Sequence, residues 1–200
     1  GIPDYVESNG ADAFADDDSD GQPNFTDSNY PGFVDSNSDG VNDNFDSDKD
    51  GIPNQIDLDS DNDGIPDVVE SGGTDQDGNG RIDNFSDTDN DGLSQNVDAN
   101  NSGQAGSGNG LGIPDLDNDG IPNYIDLDSD NDGIPDVKEV FGADANNDGI
   151  IDSYTDVDAD GYSDNVDGDV GNDGSSENTA ASLLRTGADL NGDGRAESYP

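Results

Sequence analysis

Carboxylates spaced two residues apart, each triplet closed by a glycine, are the feature of this chain that could do chemistry. The pattern is Asp-x-Asp-x-Asp-Gly-x-x-Asp-x-x-Asp/Glu. Its fullest forms are Asp59, Asp61, Asp63, Gly64, Asp67 and Glu70, and again Asp128, Asp130, Asp132, Gly133, Asp136 and Glu139. Side-chain oxygens at the first, third, fifth, ninth and twelfth positions of a curled segment converge on one centre, and glycine at the sixth permits the sharp reversal. An all-oxygen set of this kind is the chemistry of a hard divalent cation, Ca2+ above all. The carbonyl of the seventh residue turns inward, and the twelfth acid closes the sphere with both oxygens.

Eleven complete or near-complete loops follow the pattern. The first four run through Asp16, Asp18, Asp20 and Asp27; Asp35, Asn37, Asp39 and Asp43; Asp46, Asp48, Asp50 and Asp57; and the Asp59 set already given. Asp75, Asp77, Asn79 and Asp83 come next, then Asp87, Asp89, Asp91 and Asp98, then Asp115, Asp117, Asp119 and Asp126. After the Asp128 set come Asp144, Asn146, Asp148 and Asp152; Asp156, Asp158, Asp160, Asp164 and Asp167; and finally Asp189, Asn191, Asp193 and Glu197. Asp46 is twelfth in one loop and first in the next, which puts adjacent ions in a row. Ser86 and Thr155 occupy the twelfth position of the loops from Asp75 and Asp144, so these two are poorer, with Asp87 and Asp156 one residue on as substitutes. Pro200 ends the last loop without a twelfth acid. The expected cofactor is therefore Ca2+, on the order of ten ions at one per loop.

Composition narrows the remaining possibilities. The chain has 200 residues, 50 acids against 5 bases and a net charge of -45, and it lacks Cys, Met, Trp and His. Thiolate- and imidazole-based sites are therefore excluded: disulfides, Cys/His zinc centres, iron–sulfur clusters, haem ligation and His-dependent triads. The five bases, Lys49, Arg81, Lys138, Arg185 and Arg195, are scattered among carboxylates, which excludes a nucleic-acid footprint. No apolar run approaches the roughly 20 residues of a membrane span, so direct membrane insertion is not expected. Leu, Ile, Val and Phe make up 18% of residues, in the range where a chain this charged cannot build a core unaided. An enzyme is not expected, because paired carboxylates that could hydrolyse a glycoside carry no information where Asp is everywhere.

The segment from Ile56 to Val68 recurs letter for letter from Ile125 to Val137, an offset of 69 residues that extends well beyond the match. This divides the chain into diverged loops at 1–45, module A at 46–98, a Gly/Asn/Ser-rich linker at 99–114, module B at 115–167 and a degenerate segment at 168–200. Gly1-Ile2-Pro3-Asp4-Tyr5-Val6-Glu7 reads as the second half of a loop, so the expectation is either a window on a longer array or a start at which another chain or subunit completes the site. In the last segment, residues 176–185 have the composition of a short helix with Gly187 as its stop, followed by the loop at 189–200. Short helical turns are also expected at 68–71 and 137–141.

The loop spacing matches the calcium loop of the EF-hand, but the surroundings do not. Pro53, Pro66, Pro122 and Pro135 fill the eighth position after an Ile, and consecutive loops leave no room for flanking helices. Strings such as Asp57-Leu58-Asp59-Ser60-Asp61-Asn62-Asp63-Gly64-Ile65-Pro66-Asp67 resemble the thrombospondin type 3 repeats and their bacterial, cysteine-free relatives in secreted and surface-attached proteins. That resemblance covers most of residues 1–167. It implies that the Asp side chains are calcium ligands and that the chain wraps around ions. The expected fold class is irregular and mostly loop: an extended, calcium-stabilised tandem-repeat array with little regular secondary structure and one or few short helices. Ile52, Ile65, Ile121 and Ile134, with Ile56, Leu58, Ile125 and Leu127, are expected to supply contacts between neighbouring loops. Phe14, Phe25, Phe33, Phe45, Phe85, Tyr124, Phe141 and Tyr154 are expected to form small cores near loop exits.

Physics also suggests a location. All-Asp sites of this kind bind calcium at the weak end of its range, roughly 10⁻⁴ to 10⁻³ M, and would fill outside cells but stay empty in a cytosol. The expectation is an extracellular or cell-surface structural protein in which ion-clamped loops stiffen a stalk, adhesin, matrix fibre or filament. Its partners would be calcium ions and, beyond them, other copies of itself or a larger surface protein. A disordered acidic calcium buffer or mineral-binding protein is the alternative, although it would make no use of the glycine at each sixth position.

Overall fold

Short Asp, Asn and Ser side chains bond to backbone amides a few residues away and so compete with helix and sheet. The computed structural model describes residues 1–8, 10–11, 13–90, 92–98, 110–140 and 142–171. Among them, regular structure is limited to three single helical turns, α1 (Asp4–Glu7), α2 (Asp67–Glu70) and α3 (Asp136–Glu139), and a 3-10 turn at Asn123–Ile125. No strand occurs among the described residues, and no helix there is long and apolar enough to cross a membrane.

Each α-turn starts directly after a proline in extended conformation, Pro3, Pro66 or Pro135, and carries acids in its first turn. Proline is tolerated at a helix start, and acids there complement the exposed amides. The expected turns near 68–71 and 137–141 are thus present, each starting one residue earlier. α1 occupies the matching place in Gly1–Glu7, so that stretch shares the local structure of a loop's second half. The expected helix at 176–185 lies outside the described residues. So do Asp189, Asn191, Asp193 and Glu197 of the last loop, Asp91, Phe141 and most of the linker.

The two modules do not follow one another in a line. Module B lies against module A: Leu58 N–H donates to the Asp160 carbonyl at 3.0 Å, Ile151 N–H to the Asn62 carbonyl at 2.9 Å, and Tyr154 OH to Asp50 Oδ2 at 2.8 Å. The main apolar cluster is built from both copies: Ile65 from A, with Val137, Val140, Ile151, Tyr162 and Val166 from B. This corrects the expectation of an extended array. Each loop carries only a few apolar side chains, and burying one stabilises by about 1.5–3 kcal/mol. A single file would leave Ile65 and Tyr162 in water, whereas lateral contact removes both.

Lateral contact also breaks the equivalence of the repeats. Ile65 is 1% exposed, while its exact counterpart Ile134 is 48% exposed, and Ile56 and Ile121 also face solvent. Phe45 and Tyr124 are buried as expected, whereas Phe14 and Phe85 are exposed. Phe14 stacks edge-on against Phe25 at 5.3 Å, and Tyr30 lies against Phe45 at 5.8 Å. In the described end of the linker, Leu111 N–H donates to the Gly1 carbonyl at 3.0 Å.

Candidate metal centre

The described loops are closed by a shared set of short-range bonds. The first-position aspartate accepts, through Oδ2, from the amide of the sixth-position glycine. This bond recurs at Asp16, Asp35, Asp46, Asp59, Asp75, Asp87, Asp115, Asp128, Asp144 and Asp156, with lengths of 2.9 to 3.3 Å. Oδ1 of the fifth residue accepts from the amide of the seventh, as in Ile65 N–H to Asp63 at 2.7 Å and Ile52 N–H to Asp50 at 2.8 Å. The amide of the ninth residue reaches back to the carbonyl just before the loop, as in Asp67 to Leu58 at 3.0 Å and Asp136 to Leu127 at 3.1 Å. These bonds make a cradle in which alternate carboxylates turn to one side.

Two features of the cradle are not evident from the ligand grid. The first is a second reversal. The fourth position has a positive φ in every loop that glycine does not fill there: Ser19, Ser38, Lys49, Asn62, Asn90, Asn118, Asn131, Asn147 and Ala159, at φ of 55 to 69°. Gly78 takes the same place in the loop from Asp75, at φ 77°. The frequency of Asn, Ser and Gly at this position is the sequence signal for it, because Asn tolerates the left-handed region better than most residues.

The second feature concerns the ninth position, read from sequence as a ligand. Its side chain accepts from the amide of the second residue. Asp67 takes Ser60 N–H at 2.8 Å, Asp152 takes Ala145 N–H at 2.7 Å, Asp83 takes Gln76 N–H at 3.0 Å and Asp164 takes Val157 N–H at 3.1 Å. Asn54 and Asn123 do the same toward Ser47 and Leu116, at 2.9 and 3.1 Å. A latch that needs only an acceptor explains why Asn and Asp alternate there, and it adds Asn24, Asn54 and Asn123 to the functional residues that a search for acids misses.

Carboxylate oxygens converge in several loops. One oxygen each from Asp16, Asp18 and Asp20 lies within 4.8 Å of the others, and the same holds for Asp46, Asp48 and Asp50, for Asp59, Asp61 and Asp63, and for Asp75, Asp77 and Asp83. At Ca–O lengths of roughly 2.3–2.6 Å, ligands on opposite sides of one ion stand about 4.8 Å apart, so each set fits a single coordination sphere. Two neighbouring loops are tied together at their third and fourth positions, since Asn62 donates to Asp48 in module A and Asn131 to Asp117 in module B. Of the twelfth-position acids, Asp27, Asp46, Asp57, Glu70, Asp98 and Asp167 are buried.

The loop from Asp59 is the most enclosed. Asp59, Asp61, Asp63, Asp67 and Glu70 are all buried, and Asp59 Oδ1, Asp61 Oδ2 and Asp63 Oδ2 have no hydrogen-bond partner. Burial, with neighbouring carboxylates adding to it, pushes the carboxyls of Asp59, Asp61, Asp63 and Glu70 well above the usual range. Asp67 is raised by burial to about 7, held back by the amide and hydroxyl of Ser60. Buried polar atoms without partners are uncommon, and ionised carboxylates in that state require a counter-charge. The residues therefore fit a divalent cation. The described bases are engaged elsewhere, Lys49 with Asp43 at 3.3 Å, Arg81 with Asp160 at 3.7 Å and Lys138 with Asp144 at 3.4 Å.

No known protein family and no curated protein matches the chain.

Proposed function

We propose that this chain is a calcium-binding structural module of an extracellular or cell-surface protein, in which loop-bound ions hold a strongly acidic chain in one shape. The observation that carries the proposal is the loop from Asp59, where three converging buried carboxylates each keep an oxygen without a hydrogen-bond partner. The same cradle closes the other described loops, so one loop's chemistry extends to all of them. At -45, the chain repels itself, and divalent ions at about one per loop would cancel close to half of that charge. Ion binding and folding then become one event. Weak sites of this kind suit millimolar extracellular calcium, and a stiffened surface stalk, adhesin, matrix fibre or filament is the setting that uses them.

Small-angle scattering with 5 mM calcium and again with excess chelator, with a parallel count of bound ions, tests the proposal. The expected result is a structured particle holding on the order of one ion per loop that becomes a random coil on chelation. An expanded curve in both conditions, with gradual and unsaturated ion uptake, would instead make the chain a disordered acidic buffer.

A further inference from the structure

Asp136 belongs to the loop from Asp128 in module B, yet one of its oxygens lies within 4.8 Å of oxygens from Asp63 and Glu70 of module A. All three residues are buried. Asp63 Oδ1 is engaged by the Ile65 amide at 2.7 Å, while Asp63 Oδ2 has no partner. Asp136 accepts Ser129 N–H at 3.1 Å on Oδ1 and 3.2 Å on Oδ2, which leaves each oxygen a second lone pair. Ile65 and Val137, close in sequence to Asp63 and Asp136, belong to one buried apolar cluster drawn from both modules. Three acids from two separate loops thus meet in the interior where the modules join.

We infer that a second calcium ion sits at this junction, ligated by Asp63, Glu70 and Asp136, and that it clamps module B onto module A. Asp63 would be shared with the ion of its own loop, making a two-ion centre. The inference rests on the reading of the loops as calcium sites and goes further: it assigns an ion to no single loop and gives it the task of joining the duplicated units. The local pattern does not specify this site, because Asp63 and Asp136 are 73 residues apart in sequence.

The test is an anomalous-difference map from crystals of the full chain grown in calcium, with terbium exchanged in to strengthen the signal. The expected result is two peaks around Asp63, one within the carboxylates of its own loop and one within roughly 2.3–2.6 Å of Asp63, Glu70 and Asp136 oxygens. Peaks in the loops with none at the junction would overturn the inference and leave the calcium reading standing; peaks nowhere would overturn both. In solution, Asp136→Asn keeps the latch to Ser129 and should lower the saturating ion count by one per chain. Asp17→Asn, at an exposed second-position aspartate outside the ligand and latch positions, should leave the count unchanged. Equal counts for the two variants would argue against the junction ion.

Discussion

Gly92 and Gly161 hold the same sixth position in corresponding loops of modules A and B, at φ of 97 and 86°. Replacing either with alanine forces a side chain into the left-handed region, which costs about 1–2 kcal/mol. A Cβ at Gly92 would meet nothing within 4 Å, whereas one at Gly161 would run into the carboxylate of Asp57. Asp57 is buried and holds the Asp59 amide at 2.9 Å, so moving it would leave that buried amide without an acceptor. An unsatisfied buried group costs about 1–3 kcal/mol more. Gly161→Ala should therefore destabilise the calcium-loaded chain more than Gly92→Ala, by about 5- to 160-fold in the unfolding equilibrium. Urea titrations of both variants at saturating calcium, followed by tyrosine fluorescence, measure the difference. Equal midpoints for the two variants, with equal denaturant slopes, would refute the lateral arrangement of the modules, since both glycines hold the same loop position at a positive φ and only Gly161 faces Asp57.

Asp61→Asn, in the buried loop, should lower calcium affinity and stability far more than Asp18→Asn at the same position of the exposed loop from Asp16; isothermal titration compares them, and matching losses would contradict the burial difference. Asn54→Ala removes the acceptor for Ser47 N–H and should cost about 1 kcal/mol, while Asn54→Asp should be tolerated, as thermal unfolding in calcium would report. The pH response should reverse with calcium. Without ions, burial raises Asp48 to about 9, Asp67 to about 7 and Asp136 to about 6, so the folded chain holds more protons than the unfolded one. That contribution is complete below the ordinary carboxylate pKa of about 4 and is lost as pH rises through about 6 to 9. With calcium the ions replace the protons and stability falls on acidification instead. Scattering at pH 4 and pH 8, with chelator and with calcium, reads both signs; a chelated chain whose dimensions ignore pH would count against the buried carboxyls.

Much of the local structure was legible in the sequence because it rests on bonds spanning two to seven residues. The two-residue stagger of acids and the glycine at the sixth position correspond to the closure seen at Asp59 and Gly64 and in its nine described equivalents. Proline followed directly by an acid three residues before a second acid corresponds to the single helical turns. The ninth-position latch and the reversal at the fourth position were written there too, in Asn54, Asn62 and their counterparts. A search for acids alone passes over them because Asn serves the backbone rather than a cation.

Burial and partnership were not legible, for a physical reason. The stretches Ile56–Val68 and Ile125–Val137 are identical, so every local propensity and every short-range bond is available to both. Only contacts between residues about a hundred positions apart, such as Leu58 with Asp160 and Tyr154 with Asp50, decide that Ile65 is enclosed while Ile134 faces water. The sequence by itself determined a string of cation-sized carboxylate cradles. Tertiary structure decided which cradle lies in the interior, and that its acids meet Asp136 of the other module.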